Sequence, residues 1–598
     1  MISIIMFSYI FLLISTFFVI FRQNISNKNN TIIYSYLFSS ALFSYTVLGQ
    51  ISLVLTLLNL TRFPIIVISF FTLLICSISN KNYKKINNLF TFFKCELNNF
   101  VVYINSNKER KYIFFICLIL TFFICLSSVG PINHPDASDY HVGYPYQYFL
   151  RGGFFVDGGL HQGLLGIGDY ANLAFLQENN IWLIRSIQII TLPLIFFFFG
   201  SQKKVNIFLI ALLSSPIFIQ WSTIGKPLFL GESSVGITYL IWQEKKDLNS
   251  LKFLLLCIIS CLSIKISSLL ISLPILFEIC FFYKNIFYVK KTFSKYLLYL
   301  CKSKLIIISL SIFFSILFSR YLITNNFFYP LLTNIFNPEE QLVTKFAESL
   351  SSYQRNNGFP LNIFIPISFS GLSSTLGLSV FLIFILLIFY DRKPFNRFLQ
   401  DSKINTATLQ TLLLIAFCQG RGDYYACPLI IFIFSSEKLS KLLNKRLLKF
   451  AFLLTLVTQI SCLLLISTIS FSQSVIAIFN YDYLMNNTAY GYFSSKELNK
   501  ESGEVTLHNI GRDTRLFYPV NYVDNDFMKS CLLENKFNSD PQQKCLSDNN
   551  ITKIISYPNY LVNKDHYKCN YKDSYIATRN PFNSRKSLIE ICYLKNNL

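Results

Sequence analysis

The amino-acid sequence predicts an all-α polytopic membrane protein, followed by a small α/β domain at the C-terminal end. Hydrophobic residues make up 53% of the 598 residues and charged residues only 14%, which is far from the composition of a soluble globular protein. The hydrophobic residues recur in stretches of about 20, a length that crosses a bilayer. The sequence after residue 472 is polar instead. These three observations define the predicted architecture.

The hydrophobic stretches predict about fourteen transmembrane helices. Two long stretches each fit a hairpin of two short helices, because Lys265 interrupts the first and the segment Gln419 to Asp423 interrupts the second. The first stretch lacks the n-region and cleavage site of a signal peptide, so we expect it to be retained, with a cleaved signal as the alternative. The single stretches are 2–21, 32–56, 63–79, 112–130, 181–200, 205–222, 227–243, 305–323, 371–390 and 450–472, and the hairpins are 251–283 and 407–435.

The basic residues predict the orientation in the membrane. Lysine and arginine are concentrated in the segments 81–111, 284–304 and 438–449, which lie on one side if successive helices alternate. The positive-inside rule assigns that side to the cytoplasm. The net charge of +22 therefore reflects topology, and its spread over several loops argues against a nucleic-acid partner. The loops 131–180 and 324–370 are then extracytoplasmic.

These boundaries divide the chain into three predicted units. Residues 1–111 supply N-terminal helices and a basic cytoplasmic loop, residues 112–472 form the main transmembrane module, and residues 473–598 form an extracytoplasmic domain. Short alternating runs such as 551–557, separated by turn residues, predict strands in this domain. Its cysteines are Cys531, Cys545, Cys569 and Cys592. Their even number fits either two disulfides of undefined pairing or four free thiols.

The first outward loop carries acidic residues directly beside a transmembrane stretch. Asp136 and Asp139 lie in the run Asn133 to His141, and His161 follows in the same loop. A carboxylate near hydrocarbon is costly unless it has a partner or a function. We therefore expect the catalytic residues to lie in this loop.

Four cations are predicted at the same membrane face as the acidic loop. They are Lys226, Lys265, Arg320 and Arg421, each from a separate hydrophobic stretch. One interpretation is that these long side chains only reach the lipid headgroups. The other is that several of them line a pocket for an anionic lipid headgroup, with phosphate as the ligand. The acidic loop would then cover that pocket.

Several short segments follow one another in a characteristic order. Asp136 is followed four residues later by Tyr140. The other segments are Gly225 to Pro227 with its Lys-Pro pair, Ser263 to Ser267 with its lysine, Asn326 to Leu332, which resembles an Asn-Pro-x-Tyr-Pro loop, and Arg421 to Pro428, which resembles an Arg-Tyr-x-x-Pro segment. In this order the segments resemble those of membrane glycosyltransferases of the GT-C superfamily, in the group that includes protein O-mannosyltransferases and the lipid A aminoarabinose transferase.

The resemblance implies transfer of a sugar from a polyprenyl-phosphate donor to a lipid, glycan or protein acceptor. The reaction is expected at the outer face of a membrane, and we expect the bacterial inner membrane. Asp136 aligns with the catalytic aspartate and is the expected general base, with inversion at the anomeric carbon. Lys226, Lys265 and Arg421 are expected to hold the lipid phosphate. The other expected substrate-binding residues are His141, His161, Arg320 and Tyr329.

The sequence allows three interpretations of Asp139. It orients the acceptor, caps the helix that follows, or binds a divalent metal together with Asp136 and the nearby histidines. No other cofactor is expected.

Three other functions compete with the glycosyltransferase interpretation. An O-antigen-type polymerase or ligase also handles lipid-linked sugars, but it usually relies on Arg-rich loops and lacks a tail of this kind. A transporter of lipid-linked sugars places its charges at mid-membrane in repeated halves, whereas this sequence shows no internal repeat. A non-catalytic scaffold with the same fold is the third alternative.

Overall fold

The structure is a computed structural model that describes most of the chain. The predicted helix 2–21 and all but the first residue of the predicted helix 63–79 lie outside the described part, and so does Arg421. The described residues are 30–63, 94–95, 97–157, 160–177, 181–286, 303–331, 333–336, 341–356, 358–365, 373–389, 402–418, 422–437, 439, 445–498, 505–510, 514–519, 522–535, 538–560, 566–576 and 585–595.

In the described residues before Thr506, the regular secondary structure is all helical. The first helices are α1 (Asn30–Leu57), α2 (Lys108–Ser127), α3 (Gly143–Arg151), α4 (Ile167–Gln177), α5 (Ile181–Gln188), α6 (Thr191–Ser201), α7 (Ile207–Leu213), α8 (Ile217–Ile224), α9 (Leu228–Lys245), α10 (Leu248–Ile264) and α11 (Leu269–Ile286). The helices continue with α12 (Lys304–Thr324), α13 (Thr333–Phe336), α14 (Gln341–Asn356), α15 (Leu378–Phe389), α16 (Ser402–Cys418), α17 (Ala426–Ser435), α18 (Arg446–Phe479), α19 (Tyr481–Thr488) and α20 (Tyr492–Ser495).

Five described helices are long and apolar enough to cross a membrane, and a sixth span exists if the pair α7 and α8, bent by 42°, is one broken span. The predicted number of about fourteen is therefore not confirmed. Several predicted spans fold as shorter helices, such as α17, and a helix of about ten residues is only about 15 Å long. The five candidate spans are Thr31–Leu57, Lys108–Ser127, Ile181–Ser201, Lys304–Thr324 and Arg446–Phe479.

Both predicted hairpins are interrupted where the sequence indicated. Lys265 has extended backbone angles and ends α10, and a 3-10 turn at Ile266–Ser268 leads into α11. In the second hairpin, α16 ends at Cys418 and a 3-10 turn at Gly422–Tyr424 precedes α17. Each break brings polar residues to the end of short apolar helices.

Helix α9 is the central helix of the bundle, because every residue from Leu228 to Gln243 is buried. Small residues allow its neighbours to approach closely. A Cβ atom at Gly231 would lie 2.8 Å from the sulfur of Cys261 in α10, and one at Gly236 would lie 3.4 Å from a backbone oxygen in α17. The surrounding helices shield α9, and this allows it to carry the buried carboxylate of Glu232.

Arg185 in α5 is buried and ties four helices together. Its guanidinium donates to the carbonyl oxygen of Ser127 at 2.6 Å, to that of Pro131 at 2.8 Å and to that of Ser222 at 3.4 Å. It also donates to the hydroxyl of Ser470 in α18 at 3.3 Å. These contacts fix the end of α2 and therefore the point where the acidic loop begins.

The C-terminal part contains a five-stranded sheet with the order β2-β1-β3-β5-β4. β1 pairs in parallel with β2 and β3, whereas β5 pairs antiparallel with β3 and β4. One disulfide joins Cys531 to Cys545 and the other joins Cys569 to Cys592. The strands are β1 (Thr506–Asn509), β2 (Tyr522–Asp524), β3 (Lys553–Ser556), β4 (Tyr567–Ile576) and β5 (Arg585–Leu594), and the helices are α21 (Asn525–Glu534) and α22 (Pro541–Asp548).

The C-terminal part packs directly on the acidic loop. The side-chain amide of Gln147 in α3 donates to the carbonyl oxygens of Arg515 and Tyr518 at 2.8 and 2.9 Å. A Cβ atom at Gly143 would lie 3.0 Å from the Cβ of Arg515 and 3.2 Å from the backbone nitrogen of Leu516. The loop and the tail therefore lie at the same end of the bundle. Their location on the extracytoplasmic face stays a prediction.

Candidate functional site

The acidic segment folds as one turn of π-helix, Ala137–His141, whose five residues are all buried. The backbone N–H of Val142 donates to the carbonyl of Ala137 at 2.9 Å, which is the five-residue spacing of this helix type. Asp136 precedes the turn and is half-buried, and its own N–H donates to Nδ1 of His134 at 3.2 Å. Single π-turns occur often at functional sites because they redirect side chains.

Asp139 lies between a histidine of the loop and an arginine of the tail. Its carboxylate accepts a hydrogen bond from the guanidinium of Arg515, and its second oxygen is 3.3 Å from Nδ1 of His161. Arg515 is completely buried, lies 4.4 Å from the ring centroid of Tyr144, and has Asp157 as a second carboxylate neighbour at 3.8 Å. One cation thus compensates two carboxylates.

Aromatic rings connect the acidic loop to two predicted phosphate-binding lysines. The ring of Tyr140 is 4.0 Å from that of His141 and stacks on that of His161 at 5.1 Å. The ammonium group of Lys265 lies 5.7 Å from the centroid of Tyr140 and 5.8 Å from that of Tyr424. The ammonium group of Lys226 lies 4.7 Å from the same Tyr424 ring. These contacts bring the loop and both lysines into one cluster.

Lys226 is held by a carboxylate that the sequence motifs did not predict as its partner. Gly225 adopts a left-handed conformation (φ +69°) that ends α8, and Lys226 and Pro227 then lead into α9. The ammonium group, only 3% exposed, donates to Asp423 of the 3-10 turn before α17. Glu232 lies close by and accepts the backbone N–H of Ala426 at 3.0 Å. Lys226 is therefore a buried, paired cation that does not extend to the headgroups.

His141 is paired with Asp169, another carboxylate that sequence reasoning missed. Nδ1 of His141 is 2.6 Å from Oδ1 of Asp169, whose other oxygen accepts the N–H of Gly166 at 2.8 Å. Burial, opposed by Asp169 and reinforced by Lys265 and Lys226, lowers the pKa of His141 to about 4. His141 is therefore neutral at neutral pH.

Arg320 and Tyr329 contact the backbone of the acidic loop. The buried guanidinium of Arg320 donates to the carbonyl of Leu165 at 3.3 and 3.2 Å. The ring of Tyr329 lies against Gly163, where a Cβ atom would be 2.7 Å from it. Both residues fix the segment that precedes Asp169. Their expected contact with substrate stays a prediction, and Arg421 lies outside the described residues.

A small apolar pocket of about 10 Å³ lies among α15, α16 and α17. Its lining includes Val380, Phe384, Leu429 and Phe432, together with Tyr425. Tyr425 follows Tyr424, the ring that both lysines contact. The pocket has room for about one water molecule.

Among the described residues, Asp136 and Asp139 do not belong to a group of side chains that could bind one metal ion together. The group close enough to share an ion there is Cys569, Glu590 and Cys592. The two cysteines form a disulfide and are not free to bind a metal. Asp139 is instead compensated by Arg515.

No model of a known protein family matches the chain, and no curated protein is significantly similar to it. The resemblance to GT-C glycosyltransferases therefore depends on the residues of the motifs alone.

Proposed function

We propose that this protein is a membrane glycosyltransferase that moves a sugar from a polyprenyl-phosphate donor to a lipid, glycan or protein acceptor at the extracytoplasmic face. The observation that carries the proposal is the cluster in which Lys226 and Lys265 contact one tyrosine ring, while Lys265 also contacts the ring of Tyr140 in the acidic loop. Phosphate-binding cations and proton-accepting groups are thus adjacent, as this reaction requires.

In the proposed reaction, the acidic loop supplies the base and the two lysines stabilise the departing phosphate. The acceptor oxygen forms a bond to the anomeric carbon and loses its proton to a base of the acidic loop. The bond between that carbon and the phosphate oxygen breaks, and its electron pair remains on the phosphate. Lys226 and Lys265 stabilise that charge at a partly water-excluded position. The resemblance nominates Asp136 as the base.

The apolar helices that carry the lysines support a lipid-linked donor over a soluble one. Lys226 and Lys265 each follow an apolar helix, α8 and α10. Burial of apolar surface is the main driving force for binding, and an isoprenoid chain offers such surface whereas a nucleotide does not.

The test is sugar transfer by the purified protein in lipid nanodiscs, with a panel of polyprenyl-phosphate sugars and envelope extract as acceptor. Wild type should consume a donor. Lys226→Met and Lys265→Met should each weaken binding of polyprenyl phosphate, measured by native mass spectrometry. The matched control is Lys496→Met, which changes an exposed lysine far along the chain. Absence of lipid-phosphate binding by wild type would overturn the proposal.

Asp136→Asn tests the nominated base separately, with Asp482→Asn as the control at an exposed carboxylate. A loss of about 10²–10⁴ in kcat, with donor binding retained, would show that Asp136 acts in the chemical step. Undiminished transfer would leave the function intact and move the base to another group of the loop. A polymerase or ligase would instead yield products with several added units, and a transporter would move the donor across the bilayer without consuming it.

A further inference from the structure

His141 and Asp169 form a buried pair, and the sequence motifs do not predict this contact. Both side chains are almost inaccessible, at 1% and 2% exposed, and the distance between Nδ1 and Oδ1 is 2.6 Å. Asp169 is fixed by the N–H of Gly166, and the carbonyl of His141 accepts the side-chain amide of Asn172 at 2.9 Å. The pair is thus held from both sides by the start of α4.

This geometry determines which ring nitrogen carries the proton. An ionised carboxylate only accepts hydrogen bonds, so Nδ1 of the neutral ring must be the protonated nitrogen and Nε2 must carry the lone pair. Nε2 is buried and has no hydrogen-bond partner among the described residues. A buried acceptor without a partner costs free energy. A ligand hydroxyl at this position would remove that cost.

The surroundings of His141 indicate which ligand supplies the hydroxyl. The charged groups that affect the ring are Asp169 on α4, Lys265 after α10 and Lys226 before α9. Tyr140 and, beyond it, His161 are the adjacent rings. The ring of His141 therefore lies within electrostatic range of both lysines that would hold the donor phosphate.

We infer that His141 is the group that takes the acceptor's proton, and that Asp169 is its positioning residue; this inference rests on the proposed function. The O–H bond of the acceptor breaks and its proton binds Nε2, while the oxygen forms the bond to the anomeric carbon. The bond to the phosphate oxygen breaks and leaves its electron pair on the phosphate at Lys226 and Lys265. The carboxylate of Asp169 balances the resulting imidazolium. Water then accepts the proton.

A first experiment measures the tautomer without any turnover. The chain has five histidines, so nitrogen-labelled histidine gives a spectrum that can be assigned by single substitutions, with His141→Asn identifying its own signals. We expect a neutral ring with the proton on Nδ1 at pH 7 and the lone pair on Nε2. Addition of polyprenyl phosphate alone should perturb this signal. A ring protonated at Nε2 would overturn the inference, whatever the activity of the protein.

A second experiment measures the kinetic role. His141→Asn keeps a donor for Asp169 and removes Nε2, and Asp169→Asn removes the acceptor that fixes the tautomer. Both should lower kcat by about 10²–10⁴ while KM for the donor and binding of polyprenyl phosphate stay unchanged. The matched control is His566→Asn, at an exposed histidine. In Asp169→Glu, rescue of a part of kcat is expected because the carboxylate is restored.

The outcomes separate this inference from the proposed function. If wild type neither binds the lipid phosphate nor consumes a donor, the proposed function fails. If wild type transfers sugar and His141→Asn retains its kcat while Asp136→Asn loses it, only the inference about His141 fails. A fall in activity of His141→Asn that merely follows a loss of folded protein would also contradict it.

Discussion

The guanidinium of Arg515 donates a hydrogen bond to the carboxylate of Asp139, although 376 residues separate the two. The contact joins the C-terminal part to the acidic loop at a position that water does not reach, since Arg515 is completely buried and Asp139 is 1% exposed. The tail is therefore a structural component of the candidate site and not an appended domain.

Replacement of Arg515 by Met should destabilise the protein strongly. It removes the cation that compensates Asp139 and Asp157, and loss of one partner of a buried pair costs about 3–5 kcal/mol. The measurement is thermal unfolding of the purified protein in detergent, with the exposed Arg446→Met as control. The double variant R515M/D139N should recover part of the loss, because the unpaired carboxylate is then neutral. Equal unfolding temperatures for R515M and R446M would contradict this interpretation of the pair.

Asp423→Asn should have opposite effects on stability and on ligand affinity. The ammonium group of Lys226 loses its carboxylate partner, so the unfolding temperature of the protein alone should fall. The same change removes a negative charge beside the proposed phosphate site, so polyprenyl phosphate should bind up to about tenfold more tightly, about 1.4 kcal/mol. The lipid phosphate should also restore the unfolding temperature by mass action.

The control for this prediction is Asp482→Asn, which changes an exposed carboxylate that pairs with Lys496. The prediction requires that Asp423→Asn show both a lower unfolding temperature and tighter binding of polyprenyl phosphate. A fall in stability accompanied by weaker lipid-phosphate binding would show that Asp423 supports the ligand site and does not compete for Lys226.

The lengths of the hydrophobic stretches predicted several helix bounds well. The prediction 305–323 compares with Lys304–Thr324, and 181–200 with the candidate span Ile181–Ser201. The number of spans was not confirmed, because hydropathy does not distinguish a full crossing from a short buried helix. Helix α9 illustrates this limit. Its apolar residues are buried against neighbouring helices, so their hydrophobicity does not require contact with lipid.

Local motifs in the sequence led to side chains that cluster in the structure, but not to the partners of those side chains. Local motifs selected Asp139, His141 and Lys226, which the structure brings into one cluster. Their partners Arg515, Asp169 and Asp423 lie 376, 28 and 197 residues away, and no local pattern encodes such contacts. One signal was present: Asp169 is the single acid of α4 and Glu232 is a buried acid of α9, and acids within apolar helices usually have a function.

Arg185→Met should lower stability without changing the donor KM. The substitution leaves the carbonyl oxygens of Pro131 and Ser222 buried without this donor, whereas that of Ser127 keeps the hydroxyl of Ser470 at 3.2 Å. Each unsatisfied group costs about 1–3 kcal/mol. Arg185→Lys should lie between wild type and Arg185→Met, because one ammonium group cannot replace a planar fork of donors. The unfolding temperature in detergent measures the expected loss of stability. Enzyme kinetics measure whether the KM for the donor stays unchanged. A changed KM at full stability would instead place Arg185 at the substrate.

The stability of the C-terminal part should depend on pH through His508. Its Nε2 lies 2.9 Å from the hydroxyl of Ser494 and its Nδ1 lies 2.5 Å from that of Tyr518. Burial lowers the pKa of His508 to about 3, whereas an unfolded histidine titrates near 6.5. Between about pH 3 and pH 6.5, His508 therefore binds a proton in the unfolded chain but not in the folded protein.

The sign follows from the protons bound in each state. Above pH 6.5 neither form binds the proton and the full stability is present. As the pH falls from 6.5 towards 3, the unfolded form gains the proton, and the free energy of unfolding should decrease by about 1.4 kcal/mol per pH unit from this group. Chemical unfolding of the protein between pH 7 and pH 4, followed by the near-ultraviolet signal, measures this slope. His508→Gln should flatten it, whereas His566→Asn, at an exposed residue, should leave it unchanged. An identical slope in His508→Gln and wild type would assign the acid sensitivity to another group, with His141 the first to examine because burial also lowers its pKa, to about 4.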